Sequence, residues 1–355
     1  MKKYESLTIR VGPKAYQEIE VNGLDIKKIK TIMGASGGPK WLVLSHLDKL
    51  IIDKILPRLE GPVHLISSSI SSWRFVCYAQ KDPLKAIKNF EYGYINQYLP
   101  KKYKKGFLNV RLREMFDELC PSEAIDDVIN HSLFRTNIIT SSSRHILKSE
   151  FNPILLSGLL LAYLANAVSR NALGHFFSRA IFEDHRNPIK ILEKRHFATE
   201  RIDLSVDNLK DVVIASSSIP IFLVGVKNIQ GAPNGSYRDG GLTDYHFDFS
   251  VDNHEGYVLY PHFFDFLKPS WFDRSLSWRR VNPHNHARTI MICPSEKFID
   301  NLPGSKVPDR NDFSLMTNKQ RVKVWNSVVS SCERLADDFN EIIEHQYLPR
   351  LMKPF

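Results

Sequence analysis

From residue 28 to residue 80 short apolar runs alternate with turns of small residues. KIKTIM (28–33) has the β-branched content of a strand and leads into a glycine turn. Leu42, Leu44, Leu47, Leu50 and Ile51 then recur at close to helical spacing, so one apolar face of that helix is free to pack on a sheet. PVHLIS (62–67) repeats the pattern, with a serine turn and a second helix behind it. Two successive strand–turn–helix units predict a parallel α/β arrangement. Residues 83–130 predict two or three helices, NIITSSS (137–143) a strand, and 153 to about 180 a long apolar helix. Further strands are predicted at HFATERIDL (196–204), IFLVGV (221–226), GYVLYPHFF (256–264) and RTIMIC (288–293). A stripe of Trp325, Val328, Val329, Cys332, Leu335, Ala336, Phe339, Ile342 and Ile343 predicts a final helix docked on the core. The polar segments 278–288 and 301–312 read as loops. No repeat or low-complexity tract divides the chain, and one α/β domain is expected. It comprises a strand extension at 1–27, a core at 28–250, and strands with the docking helix at 251–355.

Charge adds a preference for acidic surfaces. Lys and Arg number 48 against 39 Asp and Glu, a formal net charge of +9, which suits either anionic lipid or nucleic acid. The basic residues come in short runs such as KKYKK (101–105), and no nucleic-acid-binding signature accompanies them, so no nucleic acid is expected as a partner. Cys77, Cys120, Cys293 and Cys332 are far apart, which suggests neither a disulfide framework nor a zinc site. The N-terminal lysines precede no apolar stretch, so the start does not read as a secretory signal. The longest apolar run, 154–168, is shorter than the roughly 18 residues of a membrane span and reads as a buried helix.

Four blocks carry candidate chemistry. The first, TIMGASGGPKWLVL (31–44), contains Gly34-Ala35-Ser36-Gly37-Gly38, the G-x-S-x-G spacing that holds a nucleophilic serine at a strand-to-helix turn. It lacks the Gly-Lys-Ser/Thr ending of a phosphate-binding loop and the dinucleotide fingerprint. Gly37 and Gly38 leave backbone N–H groups unobstructed where a helix begins, and such groups can hold an oxyanion. Either Ser36 is the nucleophile, or this turn is the oxyanion hole for a nucleophile elsewhere. The second block, VHLISSSISSWRF, places Ser69 at the elbow of another strand-to-helix turn, flanked two residues away by the small Ser67 and Ser71. A plain serine-rich turn, with Ser71 or Ser72 capping a helix that begins near Trp73, explains the same residues. The third block is VVIASSSIPIFLVGV (212–226). The fourth, YRDGGLTDYHFD (237–248), puts Asp239 on a turn with Gly240 and Gly241, which allow close backbone approach; an ordinary Asp-Gly turn reads the same way.

Taken together and in this order, the four blocks resemble the patatin-like phospholipase family over roughly residues 28–245. Ser36-Gly37-Gly38-Pro39-Lys40 resembles its glycine-rich oxyanion motif, Ser69 stands at the serine of its G-x-S-x-G, ASSSIP (215–220) resembles its small-residue helix end, and Asp239-Gly240-Gly241 matches its D-G-G/A motif. The chain departs from the pattern in having serines for both elbow glycines, in beginning the oxyanion motif with Ser36 and ending it with Trp41, and in lacking the Asn-x-Pro that often follows the aspartate motif.

The resemblance implies a three-layer α/β/α fold with a mostly parallel central sheet. It also implies a Ser69–Asp239 dyad that needs no cofactor and no metal, with Gly37 and Gly38 as the oxyanion hole. Ser36, Lys40, Gly240 and Gly241 would support the site, Lys40 by holding the loop or meeting an anionic head group. On this reading Ser36 is not the nucleophile. An aspartate titrates near 3.9 when free, so Asp239 can serve as a base near neutral pH only if burial raises it. His246 is the nearest candidate for a histidine triad, and His284 and His286 read as solvated loop histidines rather than metal ligands. The implied activity is a serine esterase that cleaves phospholipids or related acyl-ester lipids, cytoplasmic and peripheral at membrane surfaces. The alternative is a catalytically silent domain that binds lipid or a protein.

Overall fold

The computed structural model describes residues 4–100, 103–192, 197–252 and 256–355. Lys101 and Lys102 of the basic run, and His196 at the head of a predicted strand, lie outside the described residues. The strands are β1 (Leu7–Val11), β2 (Ile29–Gly34), β3 (Val63–Ser68), β4 (Phe134–Ser143), β5 (Phe177–Glu183), β6 (Ile191–Leu192), β7 (Thr199–Asp203), β8 (Val226–Lys227), β9 (Ser236–Asp239), β10 (Ser250–Val251), β11 (Tyr257–Pro261), β12 (Thr289–Pro294) and β13 (Met352–Pro354). The α-helices used below are α1 (Pro13–Asn22), α2 (Ser45–Leu50), α3 (Ile70–Tyr78), α4 (Pro83–Asn96), α5 (Phe107–Leu119), α6 (Ser122–Ile129), α7 (Asn152–Val168), α8 (Leu209–Ser216), α9 (Glu296–Asp300), α10 (Asp312–Leu315), α11 (Asn318–Ser331) and α12 (Glu333–Glu344).

The protein is an α/β/α sandwich. Its main sheet runs β13-β1-β12-β11-β2-β3-β4-β5-β7, with β9 and β8 joined at β4. From β12 through β11, β2 and β3 to β4 every pairing is parallel. These central strands are buried almost throughout, as sheets covered by helices on both faces require. β4 is the strand that organises the site. β5 pairs along one of its edges from Asn137 to Ser143. On the other edge β3 runs parallel as far as Ser68 opposite Ile139, and β9 arrives antiparallel with Asp239 opposite Thr140. The ends of β3 and β9 therefore meet on consecutive residues of one strand.

Several elements differ from expectation. The helix after the glycine turn is irregular, with a 3-10 start (Gly38–Leu44), the α-helical α2 and a π turn (Ile51–Ile55). The apolar helix ends at Val168, and Phe177–Glu183, placed partly within it by the sequence, is β5. Of the strand predicted over 221–226 only Val226 is extended, paired with Tyr237 in β9. The C-terminal stripe is two helices, α11 and α12, hinged at Cys332, although its large apolar side chains are buried as the pattern requires. His286 is buried and stacked on Phe355, not solvated. Among the described residues no helix is long and apolar enough to cross a membrane.

Candidate active site

The serine turn after β3 is a sharp elbow. α3 begins at Ile70, directly after Ser69, and not near Trp73. Ser69 has φ 59° and ψ −126°, a backbone conformation that L-residues rarely adopt and that recurs where strain serves a site. Its hydroxyl donates to Asp239 Oδ2 over 2.7 Å. Its N–H donates to Ser216 Oγ at 2.8 Å, and Ser216 in turn donates to the carbonyl of Ile139 on β4 at 2.7 Å. The N–H of Asp239 donates to the carbonyl of Ser218 at 3.0 Å. The ASSSIP segment thus fastens both members of the pair: Ser216 holds the elbow and Ser218 holds the aspartate strand.

The serines that replace glycine at the elbow fit because other positions make room. Ser71 Oγ accepts the N–H of Ser68 at 2.9 Å and hydrogen-bonds the carbonyl of Gly34. A β-carbon at Gly34 would stand 2.4 Å from Cβ of Ser71, so the missing side chain on β2 accommodates the extra one on α3. Ser67 donates to the Asn137 carbonyl at 3.2 Å, inside the sheet. Beside Asp239, a β-carbon at Gly240 would lie 2.2 Å from the Ile139 carbonyl oxygen, which is why this turn can lie flat on β4. Gly241 donates its N–H to Asp239 Oδ1 at 2.8 Å, so each carboxylate oxygen has one donor.

Ser36 is buried and bonded elsewhere. Its hydroxyl donates to Ser68 Oγ at 2.9 Å, a contact that ties the glycine turn to the elbow. No acceptor within the described residues takes the N–H groups of Gly37 or Gly38. Trp41, at the end of this turn, points into the helical layer. It stacks on Phe90 of α4 with ring centroids 4.8 Å apart, and Trp73 of α3 lies on the same ring at 5.9 Å. A buried pair, Arg74 of α3 with Asp48 of α2 (Nε to Oδ2 2.8 Å), clamps the helix after the glycine turn to the helix after the elbow.

The electrostatics are those of a desolvated acid facing one guanidinium. Burial raises the Asp239 carboxyl above its ordinary value, and the Arg310 guanidinium, the Ser69 hydroxyl and the Gly241 N–H oppose that rise. Arg310 reaches over the glycine turn, with Nε 3.3 Å from the point where a Gly38 β-carbon would stand. Lys40 is pushed down to about 8, by burial first and then by Arg274 and Arg310. His246 stacks on Tyr245 and accepts the Lys268 N–H on Nδ1 at 3.0 Å. Among the described residues neither Ser69 nor Asp239 has a histidine partner, nor do three His, Cys, Asp or Glu side chains converge as metal ligands.

Sequence reasoning did not single out Ser216, Arg310, Arg274 or the Asp48–Arg74 pair. Ser216 carried a signal, since it lies in a quoted small-residue block. Arg310 carried none, because it sits in a polar loop far along the chain. No family model and no curated protein matches this chain.

Proposed function

We propose that this protein is a serine acyl hydrolase of the patatin-like type, cleaving carboxylic ester bonds of phospholipids or related lipids. The observation that carries the reading is the 2.7 Å hydrogen bond from Ser69 Oγ to Asp239 Oδ2, made by a serine at a strained elbow. Ser69 Oγ attacks the ester carbonyl carbon while its proton passes to Asp239. The negative oxygen of the tetrahedral intermediate is held by the free N–H groups of Gly37 and Gly38, where one donor contributes about 2.7–4 kcal/mol in sites of this kind. The carbon–oxygen bond to the leaving alcohol breaks as Asp239 returns the proton to it. Water, deprotonated by Asp239, then attacks the Ser69 ester and releases the fatty acid, and the proton goes back to Ser69. A base with the ordinary aspartate pKa is poorly matched to neutral pH, and the burial that raises Asp239 improves the match.

The test is release of p-nitrophenol from medium-chain p-nitrophenyl esters and of fatty acid from phospholipid vesicles. Ser69→Ala and Asp239→Asn are expected to lower turnover about a thousandfold or more, and Ser36→Ala to retain most of it. Turnover that survives in Ser69→Ala, or is lost only in Ser36→Ala, contradicts the assignment.

A further inference from the structure

Helix α7 is not the buried helix that its composition predicts. Leu155, Gly158, Ala162 and Asn166 face the protein, while Ile154, Leu156, Leu160, Leu161, Leu164 and Val168 face outward, with exposures from 44% at Ile154 to 89% at Val168. The helix has no charged residue. Each of its polar side chains has a partner within the protein. Asn152 accepts from Lys105 (3.0 Å), Ser157 donates back to the Pro153 carbonyl (2.9 Å), Tyr163 meets Ser275 (3.2 Å) and Asn166 donates to the buried Asp273 (2.7 Å). The large side chains of the outward face are all aliphatic, a pattern that marks interaction surfaces.

Charge and position select its occupant. The segment packed on the C-terminal half of α7 carries the exposed Arg274, Trp278 and Arg280. The N-terminal end is flanked by Lys105, which pairs with Glu150 at 3.7 Å, and by the exposed Lys148. An apolar strip bordered by cations and an aromatic ring suits a helix lying in the headgroup region of an anionic bilayer. At 17 residues it spans roughly 25 Å, suited to lying in the interface plane. The inner side of the helix packs close to the site. The small apolar cluster beneath α7 contains Leu242, next to Gly241, and touches Ile221, which follows the segment that holds Ser69 and Asp239. Arg274 also helps hold the Lys40 ammonium of the glycine turn below its ordinary range.

We propose that the outward face of α7, with the cationic rim beside it, docks the protein on an anionic phospholipid surface. The choice of lipid over a protein partner rests in part on the acyl-hydrolase reading above. The test is flotation of the full chain with vesicles of phosphatidylcholine and of an equimolar phosphatidylcholine–phosphatidylglycerol mixture. Wild type is expected to float with the mixed vesicles and less with the neutral ones. The triple variant Leu160→Ser, Leu161→Ser, Leu164→Ser is expected to bind about tenfold or more weakly while hydrolysing a soluble p-nitrophenyl ester like wild type. In a second variant, Leu160→Trp, the emission added by the new indole is expected to shift to the blue on vesicle addition and to be quenched by brominated lipid. Wild type that stays unbound, a triple variant that floats equally, or a Leu160→Trp variant whose added emission is not quenched overturns the proposal. So does an oligomer without lipid that the triple variant dissociates, since the face is then an interface between proteins. If no ester is hydrolysed but flotation still depends on α7, the docking face stands and the hydrolase reading falls.

Discussion

Ser69 adopts a conformation that costs a non-glycine residue of order 1–3 kcal/mol, and two hydrogen bonds over-determine it, one through its N–H to Ser216 and one through its hydroxyl to Asp239. The hydroxyl meets a carboxyl whose protonation is set by opposing forces, desolvation raising it and Arg310 chief among the groups that lower it. In the proposed mechanism the base works deprotonated, so activity is expected to be lost as pH falls through the Asp239 pKa. Removing the Arg310 charge lets desolvation act with less opposition. Arg310→Gln is therefore expected to move the acid limb of the pH–kcat profile to higher pH. An unmoved limb would show that Arg310 does not act on the base. The sequence singles out Ser69 and Asp239, which the fold brings together, because each stands on a turn of small residues at the end of a strand. It cannot reveal Arg310, whose proximity to Gly38 arises only when the C-terminal segment folds back over the glycine turn.

At the scale of elements, the site exists because β3 and β9 share one edge of β4 and because α2 and α3 are clamped together. Asp48 and Arg74 are 0% and 1% exposed, and Tyr78 also donates to Asp48 at 2.8 Å. Removing one partner leaves a buried charge unpaired, so Asp48→Ala is expected to destabilise the protein by about 3–5 kcal/mol in urea unfolding. Replacing both partners, Asp48→Leu with Arg74→Met, is expected to recover much of that loss. A single variant as stable as wild type would contradict the clamp. The parallel α/β core from β2 to α3 was legible because alternating strand and helix periods locate it directly. The meeting of β3 and β9 on β4 was not, since strand pairing between distant segments has no local signature. The stripe at 325–343 predicted burial correctly but not the break at Cys332, because a hinge within a continuous apolar face leaves the pattern intact. For α7 the periodicity misleads: a helix apolar all round reads as enclosed, and only the packing shows that one face has no cover among the described residues.

Across the whole molecule, where the net charge is +9, Lys40, Arg274 and Arg310 lie near the glycine turn, with Asp309 among them. A desolvated carboxylate beside a strained serine and an adjoining turn whose N–H groups find no acceptor among the described residues make up the candidate site. The central claim is that Ser69 is a nucleophile driven by Asp239. The most direct measurement treats the full chain with a fluorophosphonate, whose phosphorus is attacked by an activated serine with loss of fluoride, and maps the adduct by peptide mass spectrometry. The prediction is a single adduct on the peptide bearing Ser69, retained in Ser36→Ala, absent in Ser69→Ala and strongly slowed in Asp239→Asn. An adduct on Ser36, or no adduct in the folded wild type, would contradict it.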